Sequence, residues 1–278
     1  MAVERDLVAS GERVLVSSEQ EKENLIRLYA AEPDRVATVP CGVDLGVFRP
    51  MDRSAARHRI GAGADDSLIL FVGRFAPEKG LDRLLHAVAR LKHIPRLRLM
   101  VVGGDGERNP AHRRMADLAL ACGITDRVAF IGRVEQGELP WYYSAADLLA
   151  LPSSYESFGM VALEALACGT PVAATRVGAM ERLLRDARNG RLAPDFNPVS
   201  LADAIANLLE NRTAAPRMAA AVRRSVVRYD WSRVSAEVLA IYQDSLAEAG
   251  IANPDAPVRL HPEIGRAACC GCGALTPA

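Results

Sequence analysis

Short runs rich in Val, Ile and Leu recur along the chain at RVLVS (13–17), RVATVP (35–40), LILFVG (68–73), RLMVVG (98–103), VAFIG (128–132), DLLALP (147–152) and PVAATRV (171–177). Most are separated by stretches of amphipathic helical periodicity. This alternation constrains the fold more than any other feature. It reads as α/β: a Rossmann-like parallel sheet with helices on both faces. Further helices are expected at about 198–211, 214–228 and 231–248. GVFRPMD, around residue 50, reads as a linker between two units, and no internal repeat is visible. From Ala252 onward Pro, Gly and small residues dominate, and a disordered tail over 249–278 is expected.

Composition narrows the choice of partner. The 278 residues are half hydrophobic, enough for one large or two small cores, and 34 basic residues balance 34 acidic ones. Zero net charge argues against a nucleic-acid partner held by electrostatics. The N-terminal MAVERDLVASGERV is charged throughout and no apolar run is long enough to cross a bilayer. The expectation is no signal peptide, no transmembrane segment and a cytoplasmic location. Cys41, Cys122 and Cys168 are isolated and read as small core residues. Cys269, Cys270 and Cys272 lack C-x-x-C spacing and have only His261 nearby, so no metal site is expected.

Glu164 raises a question of its own. It lies inside YESFGMVALEALACGTPVAA (155–174), on a helix read from the N-cap Ser157 through Phe158 to Ala167, with Gly169 and Pro171 as the stop. Its neighbours one turn away are Met160, Val161, Ala167 and Cys168, so the helix is apolar all round and should be buried. A buried carboxylate is costly without a polar partner. That partner is either a structural arginine or backbone amide, or a ligand.

Two loops at the carboxyl ends of strands, where open parallel sheets bind ligands, carry chemistry. In GRFAPEKG (73–80), Pro77 suits a first helical turn, but Lys79 there opposes the macrodipole and Gly80 weakens the helix. Both choices make sense if Arg74 and Lys79 hold phosphate oxygens; otherwise they are surface and structural residues. In SSYESFG (153–159), the amides of Phe158, Gly159 and Met160 form an anion site at a helix start. Glu164 follows about 9 Å further along the axis, a reasonable reach from a diphosphate to the ribose of one nucleotide. Glu156 lies before the helix, on the side where a sugar attached to the phosphates would be.

GRFAPEKG, VAFIGRV, SAADLLALPSSYESFG and ALACGTPVAATRVG, with seven residues between Glu156 and Glu164, follow one another in an order that resembles the donor-binding domain of the family 4 retaining glycosyltransferases. The resemblance runs from about residue 13 to 245. It implies the GT-B fold, two Rossmann-like domains facing each other across a cleft, and a nucleotide-diphosphate sugar as donor. It also implies that Gly73, Arg74 and Lys79 hold the diphosphate and that Glu164 binds the ribose. Glu156, Ser157, Phe158, Gly159 and Met160 would surround the sugar and distal phosphate, and Gly132, Arg133 and Val134 would line the base pocket. Arg74, Lys79 and Glu156 are the implied catalytic residues, Glu156 orienting the sugar rather than attacking it. Where the family commonly has a Val-Gly-Gly-Ile-Pro-Glu turn, this chain reads Val177, Gly178, Ala179, Met180, Glu181, Arg182, which leaves the loop shape open.

The implied reaction transfers a sugar with retention and no cofactor, and no Asp-x-Asp metal signature is present. VPCGVDLGVF resembles the branch making glycosylated small thiols and sucrose-type products. Residues 1–50 resemble the last strands of an acceptor domain and its linker, 51–230 the donor domain and 231–248 the crossover helix. Most of the acceptor domain has no counterpart, which implies a fragment, or a subunit completed by a separate acceptor-domain chain. The alternative is a binding module that holds a nucleotide sugar without transferring it. An NAD-dependent oxidoreductase is disfavoured because no G-x-G-x-x-G follows a strand, and a P-loop nucleotidase because no G-x-x-x-x-G-K-[ST] is present.

Overall fold

The computed structural model describes residues 13–248, apart from 105, 107, 185–188 and 211–214, together with residues 5 and 8. The tail beyond Glu248, with its three cysteines and His261, lies outside the described residues.

Two parallel sheets are formed. The small one pairs β1 (Val14–Val16) with β2 (Val36–Thr38) around helix α1 (Glu19–Tyr29). The large one contains β3 (Ser67–Val72), β4 (Leu97–Val102), β5 (Val128–Gly132), β6 (Leu148–Leu151), β7 (Val172–Ala174) and β8 (Gly190–Leu192), in the order β5-β4-β3-β6-β7-β8. Every pairing is parallel. The α/β expectation therefore holds, and all seven expected strands form, mostly shorter than expected. β8 was not expected, because GRL is too short and too polar to stand out as an apolar run.

β3 decides where a ligand can enter. It pairs with β4 on one side and β6 on the other, so the chain winds outward to β5 and then returns to lay β6 against β3. The loops after β3 and β6 thus diverge at a topological switch point, where an open parallel sheet leaves a crevice. β3 also divides the core. Leu68 and Leu70 enter one apolar cluster with α5 (Leu139–Ala145) and α6 (Met160–Ala167). Ile69 and Phe71 enter the other, with α3 (Leu81–Arg90), α4 (Pro110–Ala121) and α8 (Pro198–Glu210). On α3 the residues Leu81, Leu84, Leu85 and Val88 repeat at helical spacing and are all buried, which seats that helix firmly.

An ion pair pins the sheet to α2 (Arg53–Ile60). Arg57, buried, donates to the carbonyls of Ala145, Gly63, Ala64 and Asp66 and lies 3.0 Å from Asp147 Oδ2. Asp147 also accepts from Arg53 and from the Leu68 amide at the start of β3. The Asp of the SAAD motif is therefore structural.

The expected linker near residue 50 is tied down. Phe48 is buried, and Arg223 of α9 (Ala215–Arg224) donates to the carbonyls of Leu45 and Phe48. The helix expected over 214–228 ends at Arg224 and is followed by a separate turn, Val227–Tyr229. Residues to Val238 pack as one unit. The last described helix, α10, runs Trp231–Glu248, and its residues from Leu239 fall in a second unit. Among the described residues no helix is long and apolar enough to cross a membrane.

Candidate functional site

Both candidate loops emerge at the switch point, and they touch. After β3, Gly73 donates to the Val102 carbonyl and Arg74 projects outward, its side chain 79% exposed and 3.3 Å from Glu78. Pro77–Lys79 form one 3₁₀ turn, not the first turn of the following helix as the sequence suggested. The reason is Gly80, whose φ of 67° breaks the path before α3 begins. A Cβ at Gly80 would collide with the Pro152 carbonyl, so a glycine is what lets the β3 loop lie against the β6 loop. The Ser154 amide donates to the Glu78 carbonyl at 2.8 Å and completes the seam.

Lys79 crosses this seam. Its Nζ lies 2.8 Å from Glu156 Oε1, with both side chains mostly buried. Ser153 Oγ donates to the same oxygen at 2.7 Å, and the Ser153 carbonyl accepts from Thr175 Oγ1 at 2.5 Å. The resemblance assigns Lys79 to the diphosphate and Glu156 to the sugar attached to it. The folded chain pairs them directly.

α6 starts later than expected. It begins at Met160, with Gly159 before it at φ 102°, and Ser157 makes no capping bond. Phe158 explains the delay: its ring is buried and packs edge-on against Tyr229, 6.0 Å between centroids. With Phe158 anchored in the core, the turn into the helix falls to Gly159. Among the described residues no acceptor is bonded to the amides of Phe158, Gly159, Met160 or Val161, so the expected anion site keeps its donors.

The turn after β7 closes the floor. Gly178, at φ 54°, lies under the carbonyls of Glu156 and Phe158, and Ala179 donates to the Phe158 carbonyl at 3.1 Å. The departure at Ala179 and Met180 still yields a short helix, α7 (Met180–Leu183), whose Met180 is buried against Gly159. On its other side Gly178 donates to Gln20 Oε1 of α1 at 3.0 Å, bordering a cleft of about 500 Å³ lined also by Ser17, Arg176 and Arg182.

Glu164 has a protein partner, neither the arginine nor the amide that the sequence suggested. Tyr143 on α5, fully buried, donates its hydroxyl to Glu164 Oε2 at 2.7 Å. Burial raises the Glu164 carboxyl, the Tyr143 hydrogen bond offsets part of that rise, and the net value is about 7. Among the described residues no other group is bonded to the Glu164 side chain, so Oε1 lacks a protein partner. Because the helix starts at Met160, its rise separates Glu164 from the helix terminus by about 6 Å.

Gly132 ends β5 and Arg133 and Val134 follow it, two strands from β3 and so roughly 10 Å away across the sheet. Gly132, at φ 83°, accepts from the Gly103 amide, and an aromatic group of Phe75, His112 and Phe130 packs nearby. The structure therefore gathers Lys79, Glu156, Ser153 and the α6 amides tightly, keeps Arg74 at the rim, and places Glu164 and the β5 end on two further sides. Ser153, Thr175 and Tyr143 were missed by sequence reasoning, being ordinary polar residues whose roles arise only from distant contacts. Among the described residues no three His, Cys, Asp or Glu side chains converge as a metal site.

Comparison with known proteins identifies the family. The family described as glycosyl transferases group 1 matches residues 52–225. A D-inositol 3-phosphate glycosyltransferase from Xylanimonas cellulosilytica is 41% identical, aligned over 86% of this chain and 58% of its own length. Another, from Acidothermus cellulolyticus, is 39% identical over 88% of this chain and 56% of its own. The chain thus spans a little under three fifths of these relatives. Among solved structures, sucrose-phosphate synthase from Thermosynechococcus elongatus superposes with a TM-score of 0.79 at 33% identity, covering 89% of this chain and 61% of that one.

Proposed function

The chain belongs to the group 1 glycosyl transferases, and from that premise we propose that it holds the donor half of a sugar transfer: a sugar leaves a nucleoside diphosphate and joins an acceptor hydroxyl with retention of configuration. The observation that carries this reading is the meeting of Lys79 and Glu156 at the switch point, beside amides with no acceptor of their own. In the proposal Lys79 turns from Glu156 to the diphosphate, with Arg74 as a second cation at the rim. The amides of Phe158, Gly159 and Met160 take the distal phosphate. Charge building on the leaving diphosphate is met by preorganised donors, the main task in such a transfer. Glu156, released from Lys79 and steadied by Ser153, accepts from the sugar hydroxyls, and Glu164 Oε1 accepts from the ribose. Gly132, Arg133 and Val134 face the base. No metal or cofactor enters the proposal, and the reaction is assigned to the cytoplasm.

The acceptor class suggested by the relatives' names is an inositol phosphate. Its binding domain is supplied by a longer protein or a separate chain. The small β1–β2 sheet favours one other reading, a nucleotide-sugar-binding module with no turnover of its own.

Calorimetric titration of the chain with UDP, GDP, ADP and NAD tests the reading. Saturable binding of one nucleoside diphosphate, weakened at least tenfold in Lys79→Ala, is expected. Selective binding of NAD, or equal affinity in wild type and Lys79→Ala, would overturn it. Transfer to an inositol phosphate separates enzyme from binding module.

A further inference from the structure

Tyr143 is spent entirely on Glu164. Its ring is packed 6.2 Å from that of Phe48 and its backbone carbonyl accepts from Thr170 Oγ1, so ring and backbone are both held. Its hydroxyl cannot ionise near neutrality, because burial and the neighbouring Glu164 charge raise its pKa well above the usual phenol range. It is therefore a permanent donor, and the carboxylate is its acceptor. A fully buried tyrosine needs a partner for its hydroxyl, but a backbone carbonyl would serve that need. Instead the hydroxyl is given to the one carboxylate of α6.

We propose that Tyr143 is a positioning residue for donor binding: by occupying Oε2 of Glu164 it fixes the carboxylate plane and leaves Oε1 as the open acceptor that meets the ribose. The proposal rests on the ribose role given to Glu164 above. Without the hydroxyl, burial alone would govern the carboxyl, and the neutral acid would persist to higher pH. A neutral acid presents a proton to a diol in place of an open acceptor. The other ionisable groups nearby do not substitute for Tyr143. Cys168, one turn on, is held neutral by burial and by the Glu164 charge, and Arg223 of α9 lies against Cys168 while bonded to three carbonyls. β6 and β7, which also pack on α6, contribute only Leu, Val and Ala.

The test is affinity for UDP-glucose between pH 5.5 and 8.5, where that ligand does not itself titrate, for wild type, Tyr143→Phe and Glu164→Gln. Tyr143→Phe keeps the ring against Phe48. Wild-type affinity should rise through a midpoint near 7. In Tyr143→Phe the midpoint should move up, so that binding is weaker than wild type at pH 7 and approaches it as the pH rises to 8.5. Glu164→Gln should be weak and flat. A Tyr143→Phe curve that coincides with wild type, or lies below it by one constant factor, would overturn the inference. Failure of the ribose role looks different: wild type would then bind UDP-glucose and its 2′,3′-dideoxyribose analogue equally at every pH. Carbon-13 NMR titration of the Glu164 carboxyl, with no ligand present, reads the Tyr143 effect directly, and an unshifted midpoint in Tyr143→Phe would also overturn it.

Discussion

Lys79 and Glu156, 77 positions apart, meet at 2.8 Å across the seam between the β3 and β6 loops. Each is therefore already satisfied before a ligand arrives. A nucleoside diphosphate lacking its sugar must compete with Glu156 for Lys79. Glu156→Gln should accordingly bind free nucleoside diphosphate severalfold more tightly, reflecting about 1 kcal/mol of released pairing. It should transfer sugar more slowly. Calorimetry and a transfer assay on the same variant check both halves, and weaker diphosphate binding would contradict this view of the pair.

Arg74 is a clean probe because its side chain is 79% exposed and its ion pair with Glu78 is a surface pair. Arg74→Ala should leave folding stability within about 0.5 kcal/mol of wild type while weakening diphosphate binding. Chemical denaturation and calorimetry report the two quantities separately.

Glu164 makes a prediction about stability as well as binding. Its carboxyl is raised from 4.5 to about 7 in the folded chain. Between those values the folded state holds a proton that the unfolded state has lost. Stability should therefore fall as pH rises through that window, by roughly 3 kcal/mol, and level off above it. Glu164→Gln should match wild type near pH 4.5 and exceed it at pH 8. Denaturation midpoints across pH will show whether the slope disappears.

Asp147 tests the scaffold under the site. Asp147→Ala would leave the buried Arg57 without its carboxylate and the Leu68 amide without its acceptor. A loss of about 3–5 kcal/mol is expected, seen as a lowered denaturation midpoint. A change under about 1 kcal/mol would mean that the four carbonyls around Arg57 suffice.

The parallel sheet was legible because both its faces are covered, which makes each strand a run of apolar residues. β8 was not, since its three residues, GRL, form no apolar run. Among site residues, Lys79, Glu156 and the α6 amides stood out because charge and glycine at those positions work against local propensity. What the sequence could not convey was pairing. The partners Lys79–Glu156 and Tyr143–Glu164 are set by strand order, and strand order is not written in any one segment. The start of α6 was misplaced for a related reason: Ser157 has the right chemistry for a cap, but the burial of Phe158 against Tyr229 moves the turn to Gly159.

Gly178 touches both the carbonyl of Glu156 on one side and the side chain of Gln20 on the other. With a single residue between them, α1 and the backbone of Glu156 are linked through one piece of chain. A tilt of the small β1–β2 layer is thus felt at Glu156 with almost no slack, and whatever grips that layer also reaches the Lys79–Glu156 pair.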